Sequence, residues 1–253
     1  MAPIALWRRA VAELVGTALL VIVVVGSGIM AATLSPDVGI QLLANSIATA
    51  FGLAVIIFMV GPVSGAHLNP LVSMADWWLG RRHGLGLTAS EVGVYGAAQV
   101  AGAVVGAVIA NVMFDLSPVS WSQTARDVPH LWVGEVVATA GLILLVFSLA
   151  RSGRAAVAAP AIGAYIGAAY WFTSSTSFAN PAVAVGRAFT DTFAGIAPSS
   201  LPGFVVAELV GMVVGVGLLA VLYPRPGRGA EQLVLPREEA EPAGAVPAGQ
   251  GNG

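Results

Sequence analysis

Six long apolar runs constrain this chain more than any other feature. They cover roughly residues 10–34, 38–61, 91–114, 131–150, 155–175 and 203–223. A helix needs about 20 apolar residues to cross a hydrocarbon core of about 30 Å. Each run is therefore read as a membrane span. The alternative, a large buried soluble core, needs a polar shell that this chain lacks. Only 9% of its 253 residues are charged and 57% are hydrophobic, against roughly 25% charged in a soluble domain. The first run is too long for a signal-peptide core and has no convincing cleavage site after Gly28, so it is kept as a span.

Two further apolar stretches, 69–80 and 180–190, are too short to cross. Twelve helical residues reach about 18 Å, near half a bilayer. Each opens with Asn then Pro, the preferred N-cap followed by the preferred first helical residue. Both are read as re-entrant half-helices that begin at depth. Irregular backbone is tolerated there only where it lines a cavity or packs against protein.

The sequence contains no Cys and three His. Thiol chemistry and disulfides are excluded, and neither a multi-ligand metal site nor any cofactor is expected. A net charge of -2 gives no reason to expect nucleic acid. No nucleophile–base constellation for an enzyme stands out. The expected surroundings are the lipid bilayer.

Basic residues set the orientation. With the N-terminus inside, Arg8, Arg9, Arg81, Arg82, Arg151, Arg154, Arg225, Arg228 and Arg237 fall on the cytoplasmic side, and only Arg126 and Arg187 fall outside. This is a strong positive-inside bias. It implies a multi-pass membrane protein with both termini cytoplasmic. Residues 224–253, rich in Pro, Gly, Ala and Glu, read as a solvated, disordered cytoplasmic tail.

The chain repeats itself. Glu13-Leu-Val-Gly-Thr17 matches Glu135-Val-Val-Ala-Thr139. Gln99-Val-Ala-Gly102 with Gly106 matches Glu208-Leu-Val-Gly211 with Gly215. Asn69-Pro70 matches Asn180-Pro181. Three spans per half force the second copy to enter from the opposite face, so the repeat is inverted and its site lies at mid-depth. The organisation expected is a first repeat over 1–115 holding the 69–80 half-helix, an extracellular connecting loop over 116–130, and a second repeat over 131–223 holding the 180–190 half-helix.

Ser64-Gly-Ala-His67-Leu-Asn69-Pro70-Leu71, Asn180-Pro181-Ala182 and the Glu-x-x-x-Thr of spans one and four resemble the aquaporin, or major intrinsic protein, family over about residues 8–223. The resemblance implies an all-α membrane protein with six transmembrane helices and two half-helices meeting at mid-membrane. It also implies one pore per subunit, a homotetramer and passive passage of small neutral solutes. It assigns Glu13 and Glu135 to holding the loops before each half-helix. Two departures stand out. The first box reads Asn-Pro-Leu. Directly after the second box, where most members carry Arg, this chain has Val183. The stretch from Ser175 to Val183, with Asp191-Thr-Phe-Ala-Gly195 beyond it, resembles a bacterial branch associated with arsenic resistance, which implies permeation of uncharged arsenite, As(OH)3.

From the residues themselves, the Asn69 and Asn180 amides and two positive helix ends converge on one spot. Such a site repels cations and breaks a proton-conducting water chain, the logic familiar for aquaporin-type pores. Positions i, i+3 and i+7 place Asn180, Val183 and Arg187 on one face, and Asn69, Val72 and Asp76 on its mate. Counting back from the boxes without gaps gives Thr49, Ala168 and Ser177 as the other constriction residues, with Phe51 as the alternative to Thr49. Small residues there imply a wide pore. Arg187 either reaches the outer vestibule or snorkels to the interface and pairs with Asp191. Asp76 is expected to be held by Arg81 or Arg82. His67 is read as a loop anchor or a source of a pore-lining carbonyl, and Glu208 as lying nearer the interface. The alternatives to a polyol channel are a strict water channel and a proton-coupled secondary transporter.

Overall fold

The computed structural model describes residues 4–81 and 84–224. The expected tail from residue 225 onward, and Arg82, lie outside these. The described residues form eight α-helices and no strand. They are α1 (Leu6–Leu34), α2 (Val38–Ser64), α3 (Pro70–Gly80), α4 (Ala89–Met113), α5 (Pro129–Arg151), α6 (Ala158–Phe172), α7 (Pro181–Arg187) and α8 (Leu201–Leu222). Short 3₁₀ turns lead into α6 and α8. Six helices are long and apolar enough to cross a membrane. The two half-helices, α3 and α7, are not among them. Helix α7 ends at Arg187, short of the expected residue 190.

Residues with large apolar side chains such as Phe51, Val55, Phe58, Val133, Val206 and Val221 are exposed on the outside of the bundle. In water this would be an aggregation hazard; in hydrocarbon it costs nothing. Inside, α1 packs mainly on α4 and α2, α5 on α8, and α2 on α6. Two close crossings use the glycines of the repeat. A Cβ on Gly102 would lie 2.2 Å from the Leu14 carbonyl oxygen, and one on Gly211 would lie 2.7 Å from that of Val136. Only hydrogen fits, so α4 seats against α1, and α8 against α5, backbone to backbone.

The ends are fixed by polar ties. At the end carrying the N-terminus, Arg9 of α1 forms an ion pair with Glu91 of α4, and Arg151 donates to the Tyr223 carbonyl at 2.5 Å. At the far end, the 114–128 connection pairs with the loop after α7: Ser120 and Ser122 donate backbone N–H to Phe189 and Ala188, and Ala197 donates to Thr124.

Candidate functional site

Each half-helix starts where the sequence predicts. Asn69 is extended (φ -154°) and its side-chain oxygen accepts the Leu71 N–H at 2.9 Å, with Pro70 at the first helical position. Asn180 repeats this (φ -160°), accepting from Ala182 at 3.1 Å and Val183 at 3.3 Å. Each amide then reaches across. Asn69 Nδ2 donates to the Ala179 carbonyl and Asn180 Nδ2 to the Leu68 carbonyl, both at 2.7 Å. One N–H per amide remains for the pore.

The segments leading into the two boxes are shaped alike. Ala66 and Leu68 have φ of 49° and 51°; Ser177 and Ala179 have 52° and 48°. A left-handed conformation costs roughly 1–2 kcal/mol per non-glycine residue. The buried glutamates offset this by accepting the loops' amides. Glu13 takes His67 N–H at 2.9 Å, Leu68 N–H at 2.6 Å and Ser64 Oγ–H at 2.6 Å. Glu135 takes Phe178 N–H at 2.9 Å and Ala179 N–H at 2.7 Å. With their N–H groups turned away from the pore, these residues leave their carbonyls beside it.

A cavity runs past both boxes. Its wall carries helical periodicity. From α2 come Thr49, Leu53 and Ile57; from α6 come Ile162, Ile166 and Tyr170. Spacings of four keep each set on one face. That periodicity corrects two expectations. Phe51 lies two residues from Thr49, about 200° around the helix, and is 72% exposed on the outside. Ala168 lies two residues from both Ile166 and Tyr170 and is likewise exposed outside. Gapless counting fails because the turn between α6 and the second box breaks the register. Tyr170 is the residue that faces the pore, its hydroxyl 3.2 Å from Thr49 Oγ1. The wall at this level is therefore bulkier than a set of small residues would make it.

Ser177, Val183, His67 and Arg187 also line the cavity. Pro70, Leu71, Pro181 and Ala182 do not; Leu71 and Ala182 are buried in the protein. The His67 ring pairs with Ser73 Oγ at 3.0 Å. Arg187 does not snorkel or pair with Asp191. It is buried, its Nε donates to the Ala194 carbonyl, and its guanidinium lies 3.5 Å from the Phe178 ring centre. Asp191 instead accepts the Gln123 N–H at 2.9 Å. Asp76 turns from the pore to accept the Leu87 N–H at 2.7 Å, while Arg81 stacks over Trp77 and Trp78. Glu208 does not sit near the interface. It is fully buried and accepts the Asn180 N–H at 2.9 Å.

Sequence reasoning misses Tyr170, Phe178 and Arg126. Arg126 comes from the 114–128 connection, donates Nε to the Gly195 carbonyl at 3.1 Å and approaches the same Phe178 ring at 5.2 Å. Burial holds its guanidinium below the usual arginine range. Nothing in the local sequence marks it, because the contact closes across 69 residues.

The pattern of two capped half-helices around a cavity has counterparts. Residues 1–190 match the family model described as major intrinsic protein. The chain belongs to the major intrinsic protein family. It is 50% identical over 223 residues to the aquaglyceroporin AqpS of Rhizobium meliloti (strain 1021), a match covering 88% of this chain and 93% of that one. It is 34% identical to aquaporin Z of Brucella melitensis over 228 residues, covering 81% and 92%. It is 30% identical to the glycerol uptake facilitator protein of Pseudomonas aeruginosa over 258 residues, covering 87% and 90%. In fold it resembles the X-ray structure of the aquaglyceroporin from Plasmodium falciparum, with a TM-score of 0.65 at 22% identity, covering 87% of this chain and 98% of that one. As a member of the major intrinsic protein family, this chain is a multi-pass membrane channel for small neutral solutes.

Proposed function

We propose that the channel passes water, glycerol-like polyols and compact uncharged triols such as As(OH)3, and excludes ions and protons. The observation that carries this reading is Val183, which lines the cavity in the first turn after the second box. A valine at the position where most family members have arginine removes five donors and a fixed charge. The surrounding wall suits an amphipathic solute. Leu20, Val24, Leu53, Ile57, Leu142 and Val146 offer an apolar surface for C–H groups, and Asn69, Asn180, Ser177 and Thr49 offer partners for hydroxyls. The resemblance to proteins named aquaglyceroporin and glycerol uptake facilitator supports the polyol class.

Arg187 supplies the positive charge that Val183 lacks, one turn further from the box. Among the described residues, its Nε alone hydrogen-bonds to protein. Its remaining donors repel cations and offer hydrogen bonds to a passing oxygen. The opposed Asn amides interrupt the water chain at the centre. The protein works as a homotetramer with one pore per subunit, in a bacterial plasma membrane with its termini in the cytoplasm. Membership of a channel family argues against an enzyme.

Stopped-flow light scattering on proteoliposomes tests this. Glycerol and As(OH)3 should enter faster than into empty vesicles, and Val183→Arg should depress both more than water. Rates equal to those of empty vesicles would overturn the polyol reading. Flux that requires a proton gradient would favour a coupled transporter.

A further inference from the structure

The two boxes are braced by the same helix crossings, but by different acids. In the first half, Gly102 seats on Leu14, next to Glu13, and Gln99 one turn earlier donates Nε2 to Glu13 Oε2 at 2.8 Å. In the second half, Gly211 seats on Val136, next to Glu135, and the residue one turn earlier is Glu208. The place of the amide is taken by a carboxyl.

Glu208 does part of what Gln99 does not. Its Oε1 accepts the Asn180 N–H at 2.9 Å, continuing the Phe178 and Ala179 amides held by Glu135. Its other oxygen, Oε2, is buried and receives no hydrogen bond, and the Glu135 carboxyl is its neighbour. Both side chains are 0% exposed. Neither forms an ion pair: among the described residues the one salt bridge is Arg9–Glu91. Arg126 and Arg187 are the cations near Glu135, and both also face the Tyr170 phenol, but their Nε donors go to the Gly195 and Ala194 carbonyls. From α3, Asp76 is turned to Leu87. Two carboxylates that meet in a dry site cannot both ionise.

We propose that Glu135 and Glu208 share one proton, carried on Glu208 Oε2 and donated to Glu135. Protonated Glu208 then reproduces the amide-to-carboxylate bond of Gln99 and Glu13. Each half keeps a single negative charge behind its box. Loss of the proton adds a second negative charge behind Asn180, where the pore relies on a positive end to turn cations away. Glu208 is a positioning residue for the second box.

Infrared spectroscopy of the full chain in lipid vesicles is the test. Wild type at neutral pH should show a carboxylic C=O band that moves in D2O, and Glu208→Gln should lose it. In thermal melts, Glu208→Gln should keep the wild-type Tm at neutral pH, since glutamine can accept from Asn180 and donate to Glu135. Glu208→Leu, which leaves the Asn180 N–H without an acceptor, should melt lower at every pH. Absence of the band in wild type, or a band of equal intensity in Glu208→Gln, would overturn the proposal.

Discussion

The two half-helices start from near-identical backbones and end in opposite surroundings. Up to the asparagine the halves agree: a left-handed residue, one between, another left-handed one, then the extended cap. Beyond it they part. Helix α3 runs 11 residues and α7 only seven. His67 stands where the second half has Phe178, and Asp76 where it has Arg187. Asp76 turns into the loop behind it, whereas Arg187 stays on the cavity wall against the Phe178 ring. The centre of the pore demands one geometry from both sides, so the backbone is duplicated. The mouths face different solutions, so their side chains are free to diverge.

Substitutions in the two halves probe that comparison. Glu13→Ala should be the most damaging. It removes the acceptor for two backbone amides, the Ser64 hydroxyl and the Gln99 amide, and each buried donor left unsatisfied costs about 1–3 kcal/mol. Glu135→Ala strands two backbone amides and should be milder. Thermal melts in detergent rank the two, and the reverse ranking would contradict the asymmetry.

Gly102→Ala comes next. Its Cβ would meet a backbone oxygen that cannot yield, at 2.2 Å, whereas Gly211→Ala meets one at 2.7 Å. Overpacking costs about 1–3 kcal/mol, so the first should lie at the upper end and the second nearer the lower, by the same melts. Arg187→Leu should leave folding largely intact and raise monovalent cation conductance. One charge at the wall in a wet pore accounts for about 1 kcal/mol of barrier, roughly fivefold in rate. Asp76→Asn should leave conductance unchanged, because Asp76 does not face the cavity. Smallest of all is Phe51→Ala, which should leave glycerol flux at the wild-type rate, since this ring points out of the bundle.

Most of the fold is legible in the sequence because lipid makes strong demands. Span length, the Asn-Pro openings and the paired glutamates all answer to the same penalty, that of leaving a polar group unsatisfied in hydrocarbon. The wall of the pore is less legible. Counting reaches Thr49, but Ala168 is not on the wall, because a short turn after α6 shifts the phase by two residues and two residues invert a helix face. Arg126 and Tyr170 are hidden for another reason. They enter through contacts closed by tertiary packing, which no local pattern announces. The exchange of Gln99 for Glu208 is plain in the repeat, yet its meaning depends on how closely α5 and α8 approach, and that is a property of the packed helices.

The reciprocal bonds from Asn69 to Ala179 and from Asn180 to Leu68 fasten the two repeats together at their midpoint. A carrier works by rocking one repeat against the other, exposing its cargo to each compartment in turn. Here such a stroke would tear both fastenings and strand four polar groups, at about 1–3 kcal/mol each. The two repeats are thus held in one relative arrangement, and net movement through the channel simply runs down the gradient of whatever fits.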